Sequence, residues 1–200
     1  MTNDPSAKED PGYGESAPVL TLDEAKGLAN GEPVAFRRRR RALAKNMPID
    51  IAQLLSFLNA CTSSQPRVGY MLGAKIPSDA SKPGNPAPPG FTAVDCSGFV
   101  RAALRRSTNT KAINFPDGSV VQHDWVKAQG YEISDVDDGE ATDGVIRIAF
   151  LAPSDSDHGV GHVVLIHGGS TMESHGGVGP DRRVWNTLSW RKQTEVFRLT

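Results

Sequence analysis

The apolar pattern of this chain changes near Gly130, from helical spacing before it to alternation after it. Upstream, Ile51, Leu54, Leu55 and Leu58 recur at positions i, i+3, i+4 and i+7, which is the apolar stripe of a helix that packs on another element. Downstream, short runs separated by Gly, Pro, Asp and Ser are typical of antiparallel strands. These runs are 145–151, 162–167 and 171–175, with 196–199 as a terminal strand. The order predicts an α+β fold, with N-terminal helices packed on a C-terminal antiparallel β-sheet.

Two more helices are predicted between the first helix and the strands. Apolar residues at helical spacing predict one over about 97–107. A second, over about 119–129, ends at Gly130, because glycine adopts a left-handed cap at the least cost. The first of these helices carries three arginines that we expect to point to solvent, namely Arg101, Arg105 and Arg106.

Composition divides the chain into three parts. Residues 1–18 combine three prolines, two glycines and several charges with few apolar side chains, which predicts a disordered tail. Residues 19–65 are expected to form a helical segment that packs on the core, and a capping-box spacing predicts a helix over about 22–30 within it. Residues 66–200 form the main domain, with a Pro- and Gly-rich surface loop over 77–89.

The charge balance gives the chain no overall attraction to nucleic acid. The 22 Lys and Arg residues nearly balance 23 Asp and Glu residues, so we expect no nucleic-acid partner. The arginine run Arg37–Arg41 fits either a solvated helix face or a docking patch for an anionic polymer. No run approaches the ~20 apolar residues of a membrane span. The first thirty residues are polar and do not resemble a secretory signal.

The run DCSGFV at 95–100 places Cys96 at the start of a predicted helix. The only other cysteine, Cys61, is expected to be a small buried residue, and two cysteines cannot form a disulfide framework. A free thiol has a pKa of about 8.5, whereas the thiolate is the nucleophile. A helix N-terminus offers an anion only about 0.3–1 kcal/mol. A nucleophilic Cys96 therefore needs a histidine partner.

His162 is the best placed of the five histidines. It opens the predicted strand HVVLIH, and a strand of the core sheet holds a general base rigidly. His167 falls on the opposite face of that strand. His123 is expected to be exposed on its helix, and His158 lies in an Asp-rich loop. We therefore expect His162 to be the base for Cys96.

Two other interpretations of Cys96 stay open. One is a buried structural cysteine, although Asp95 before it and Ser97 after it are poor neighbours for a core. The other is a metal site. The chain has no CxxC or HExxH spacing, and alternation divides the histidines between strand faces. We expect neither a metal ion nor a cofactor.

The order of YMLGA at 70–74, DCSGFV and GHVV at 161–164 resembles the NlpC family of bacterial cell-wall cysteine peptidases. The resemblance covers about 66–200, and the segment 119–130 is also similar. It implies a reduced papain-like fold, in which the cysteine begins a helix packed on the antiparallel sheet that supplies the histidine. It also implies a thiol peptidase that cuts peptidoglycan stem peptides, often between D-glutamate and a diamino acid.

Carried onto this sequence, the resemblance implies Cys96 as nucleophile and His162 as general base. Tyr70 is a candidate for oxyanion or substrate binding. The third catalytic residue is expected on the strand after the histidine strand, where two candidates on one face stay open. They are Glu173 and His175. Further candidates for substrate binding are Asp95 and Ser97.

The function implied is hydrolysis of peptidoglycan or of its muropeptide fragments, without a cofactor. An N-acetylmuramoyl-L-alanine amidase, an acyltransferase and a non-catalytic wall-binding module stay open as alternatives. An immunity or inhibitor protein is a candidate partner. Without an export signal, the chain is expected to reach the cell wall through a secretion system or a phage, or else to act on wall fragments in the cytoplasm.

Overall fold

The computed structural model describes residues 46–76, 92–108 and 114–200. All of them lie in one compact unit, Arg41–Thr200. The predicted tail, the capping-box helix, the arginine run and the Pro-rich loop lie outside the described residues.

The helices predicted in this unit are present. The first begins after Asp50, whose carboxylate accepts a hydrogen bond from the amide of Gln53 at 3.1 Å. Its buried residues include Leu54, Leu58 and Cys61, as the apolar stripe predicts. Within the described ranges, no helix is long and apolar enough to cross a membrane. The helices are α1 Ile51–Ser63, α2 Cys96–Ser107 and α3 Ser119–Gln129, the last of which ends at Gly130 with φ of 78°.

The described strands form one six-stranded antiparallel sheet in the order β1-β6-β2-β3-β4-β5. The central hairpin pairs Leu165 with Met172 and turns at Gly168 and Gly169, both of which have positive φ. The predicted α+β class is therefore confirmed. The strands are β1 Ile133–Ser134, β2 Arg147–Leu151, β3 His162–His167, β4 Ser170–His175, β5 Gly179–Asp181 and β6 Thr194–Arg198.

Apolar side chains cover both faces of this sheet. Alternation along β3 sends Val163 and Leu165 into the core shared with the helices, and Val164 and Ile166 into a second cluster around Trp185. Short 3-10 turns, Trp185–Thr187 and Ser189–Gln193, carry residues of that second cluster. The sheet thus has a packed layer on each side.

Two side chains expected at the surface are largely covered. The prediction for Arg106 is wrong, because it is 2% exposed and its guanidinium lies 4.6 Å from the centre of the Phe57 ring of α1, which packs on α2. His123 is half-buried, and its Nε2 lies 2.6 Å from a carboxylate oxygen of Glu195 on β6. Helical spacing alone did not show which face a second element would cover.

The packing of Trp185 generates a prediction for Gly139. A Cβ on Gly139 would lie 2.6 Å from Cδ1 and 2.8 Å from Cε2 of the indole. Trp185 is fully buried and donates a hydrogen bond to the carbonyl of Val136 at 2.8 Å, so the ring cannot move away freely. We expect Gly139→Ala to lower the free energy of unfolding by about 1–3 kcal/mol, measured by urea denaturation.

The matched control is Gly176→Ala. A Cβ at Gly176 meets no atom within 4 Å, and its φ is outside the left-handed region. This variant should unfold within about 0.5 kcal/mol of the wild type. Equal stabilities for the two variants would contradict the packing described for Trp185.

Candidate functional site

Cys96 is the first residue of α2 and lies against the start of β3. Asp95 caps the helix by accepting a hydrogen bond from the amide of Gly98 at 2.6 Å. The thiol is 4% exposed, and its Sγ is 4.0 Å from the carbonyl oxygen of Gly161. A side chain at Gly161 would meet Ser119 Oγ at 2.7 Å. Glycine before the histidine therefore allows the close approach of β3 and the helices.

Asp95 and Ser97 hold the start of α2, around Cys96, in place. The second carboxylate oxygen of Asp95 accepts hydrogen bonds from the amide of Gly73 at 3.1 Å and from Lys75. Ser97 Oγ donates to Asp95 at 3.1 Å and accepts from Lys75 at 2.8 Å. Both side chains, expected from the sequence as substrate contacts, are buried and bonded to the protein. This geometry favours positioning of Cys96 over contact with a substrate.

Gln122, on α3, also holds the start of α2. Its side-chain amide nitrogen donates to the carbonyls of Ser97 and Pro116, both at 2.9 Å, and the residue is fully buried. The start of α2 is thereby tied to α3 as well as to the segment before it.

His162 is joined to a carboxylate through one ring nitrogen. Its Nε2 lies 2.7 Å from Oε2 of Glu173. Burial alone would lower the pKa of His162, but hydrogen bonds to Cys96 and Glu173, together with their charges, raise that pKa to about 9. The site therefore favours a protonated imidazole beside the thiol, which is the charge state of a thiolate–imidazolium pair.

Glu173 is a fully buried carboxylate with several donors around it. Arg183 donates from Nη2 to Oε2 at 2.6 Å and from Nε to Oε1 at 3.0 Å, and the Thr171 hydroxyl donates to Oε1 at 2.5 Å. Burial would raise the pKa of Glu173, but the bonds and charges of His162 and Arg183 hold it at about 2. Glu173 is thus ionised and fixed beneath the imidazole.

His175, the other sequence candidate for the third residue, has different partners. Its Nε2 is 3.6 Å from Oδ2 of Asp181, and its Nδ1 is 3.2 Å from the carbonyl oxygen of Gly176. Of the two candidates, the structure brings Glu173 to the ring of His162, and it leaves His175 at the surface of the adjoining groove.

The groove beside this cluster has a volume of about 660 Å³. Trp190 stands edge-on to the His162 ring, with 5.5 Å between the ring centres. The pKa of Tyr70 is raised by burial and then by the negative charges of Cys96 and Asp95, so its hydroxyl keeps its proton near the thiol. The described residues that line the groove include Tyr70, Leu72, Asp155, His158, Gly161, His162, His175, Arg183 and Trp190.

The sequence patterns did not predict several residues of this cluster. Arg183 lies just after β5, Lys75 precedes the Pro-rich loop, and Trp190 lies in a 3-10 turn, so none belongs to a periodic run. A carboxylate on a buried strand face needs hydrogen-bond donors. This need was the one feature of the sequence that indicated a cation near Glu173. Across the three described stretches, no group of three or more His, Cys, Asp and Glu side chains could hold a metal ion.

The ion pair between His162 and Glu173 predicts a change in histidine titration. Glu173→Gln removes one charge that raises the pKa of His162 while burial persists, so that pKa should fall from about 9 by at least about one. NMR titration of the histidine side chains measures it directly. The control is Glu195→Gln, which removes the carboxylate beside His123 and should leave His162 unchanged. An unaltered His162 titration in Glu173→Gln would contradict the pairing.

The ion pair between His162 and Glu173 also makes the stability of the folded protein depend on pH. The pKa of His162 is raised in the folded protein, so its contribution is complete below its ordinary value near 6.5 and is lost as the pH rises through about 9. The pKa of Glu173 is lowered, so its contribution is present above about 4.5 and is lost as the pH falls toward about 2. Thermal unfolding of Glu173→Gln should consequently depend less on pH in both ranges.

Comparison of the chain with models of known protein families finds no match. A comparison with curated proteins also finds no match.

Proposed function

We propose that the protein is a cysteine hydrolase, with Cys96 as nucleophile, His162 as acid and base, and Glu173 as the residue that orients the imidazole. The observation that carries the proposal is a buried thiol whose Sγ lies 4.0 Å from the carbonyl oxygen of Gly161, the residue before His162. His162 is in turn joined to the buried, ionised Glu173 beside an open groove. A structural cysteine does not need a protonated imidazole with a fixed counter-ion at its side.

The proposed reaction is acyl transfer in two steps. The Cys96 thiolate attacks the scissile carbonyl carbon, and His162 gives its proton to the amide nitrogen as the C–N bond breaks. The product amine leaves and the acyl group remains as a thioester on Sγ. His162 then takes a proton from water, the hydroxide attacks the thioester, and the C–S bond breaks to release the acid and restore the thiolate.

The backbone amide of Cys96 and the hydroxyl of Tyr70 are the proposed oxyanion donors. The Cys96 amide belongs to the first turn of α2, where amides have no partner within the helix. Tyr70 lines the groove, and burial together with the nearby negative charges keeps its phenol protonated. A neutral hydroxyl near the sulfur can donate to an oxygen that gains negative charge.

For the substrate, we propose peptidoglycan stem peptides cut by an endopeptidase, with amidase and transferase activities as alternatives on the same site. Support comes from the resemblance of DCSGFV and GHVV to the NlpC family. The order of α2 before β3, with the cysteine beginning the helix and the histidine beginning the strand, also agrees with a reduced papain-like fold.

The decisive experiment is mass spectrometry of peptidoglycan fragments incubated with the wild type and with Cys96→Ala. We expect new termini only with the wild type, because the alanine variant has no nucleophile. The masses identify the bond and so separate an endopeptidase from an amidase. Cys61→Ala is the matched control, since burial raises the pKa of Cys61 to about 12 and keeps that thiol inert. It should retain cleavage.

Cleavage that persists in Cys96→Ala would reject the mechanism. Inhibition by chelators without inhibition by thiol alkylation would instead favour a metal site. Tight binding of wall fragments by both proteins, with no cleavage by either, would favour a binding module.

A further inference from the structure

Arg183 uses only part of its guanidinium to hold Glu173. Nε and Nη2 form the two bonds to the carboxylate, while Nη1 has no acceptor among the described residues. The side chain is 30% exposed and lines the groove. A guanidinium has five N–H donors in one plane. Unused donors therefore remain on a side chain that lines the groove.

The packing around Arg183 fixes the direction of these donors. Its Cζ lies 5.7 Å from the centre of the Trp190 ring, and its backbone amide donates to the Thr171 hydroxyl at 3.0 Å. The backbone amide of Thr171 in turn donates to the carbonyl oxygen of Arg183 at 2.8 Å. An arginine held at the backbone, at one edge and over an aromatic ring loses little further freedom when it binds a ligand.

Arg183 is also the only Lys or Arg among the described residues that line the groove. The other charged groups there are two exposed acids and histidines, so an anionic group on a substrate has one permanent cation to approach. These groups are Asp155, Asp157, His158, His162 and His175. The planar fork of an arginine matches a carboxylate better than any other side chain does.

We infer that the free donors of Arg183 bind a carboxylate of the substrate on a residue that flanks the scissile amide. This inference rests on the proposed function and specifies the substrate class as an acidic peptide. The position follows from Oε2 of Glu173, which binds both His162 Nε2 at 2.7 Å and Arg183 Nη2 at 2.6 Å. The two nitrogens are no further apart than the sum of those bonds, so the guanidinium of Arg183 lies beside the reacting imidazole.

The arrangement gives Arg183 two roles. Through one edge it is a positioning residue, because it holds the carboxylate that orients His162. Through its remaining donors it selects the substrate. If Arg183 were only structural, its substitution would lower kcat/KM equally for acidic and neutral substrates. If it also selects the substrate, its substitution would lower kcat/KM more for the acidic one.

The test compares two synthetic peptides that differ only in one carboxyl group. For cleavage after D-glutamate, the pair is L-Ala-γ-D-Glu-L-Lys-D-Ala with the α-carboxyl of D-glutamate either free or amidated. We expect the wild type to show a kcat/KM about tenfold or more higher for the free carboxylate. Arg183→Gln should lower kcat/KM for both peptides and reduce this preference to about twofold or less.

The matched control is Arg182→Gln, which removes the same charge from an exposed neighbour outside the groove lining and should keep the preference. Should Arg183→Gln prove too slow to assay, calorimetry in the Cys96→Ala background gives the same comparison as a ratio of Kd values for the two peptides. A preference that survives Arg183→Gln, or a wild type that cleaves or binds both peptides equally, would overturn the inference. A wild type that cleaves neither peptide, nor any wall fragment, would instead refute the proposed function.

Discussion

The buried carboxylate of Glu173 is the interaction on which the arrangement of the site depends. An ionised carboxylate removed from water costs several kcal/mol unless donors replace its hydration. His162, Arg183 and Thr171 supply those donors from β3, from the segment after β5 and from β4 itself. Each of these partners is thereby confined to one geometry. The position of the imidazole is a consequence of satisfying this buried charge.

The position of the sulfur is set separately, by the hydrogen bonds around the start of α2. Asp95 caps the helix and is joined to Lys75, while Gln122 holds the carbonyl of Ser97 from α3. The two halves meet where the thiol approaches Gly161, immediately before the histidine.

Much of the fold could be predicted, because apolar periodicity carries the information for helices and for strands with one buried face. The helix that begins at Cys96 and the β3–β4 hairpin followed from it, and alternation placed Glu173 and His175 on one face without deciding between them. That decision depended on which side chain the donor Arg183 could reach. Arg183 lies outside any periodic run, and contacts between polar groups distant in sequence leave no spacing to detect.

The shared carboxylate also bears on how the proposed chemistry would run. A histidine that gives and takes protons during a reaction works best when its pKa lies near the operating pH. The pKa of about 9 for His162 depends in part on Cys96 beside the ring, so it should fall once the sulfur has bonded to the carbonyl carbon and lost its charge. A carboxylate paired with the ring alone would raise that pKa further and weaken the acid. Because Arg183 takes part of the negative charge of Glu173, the site can keep a carboxylate for orientation without making the imidazolium too poor a proton donor.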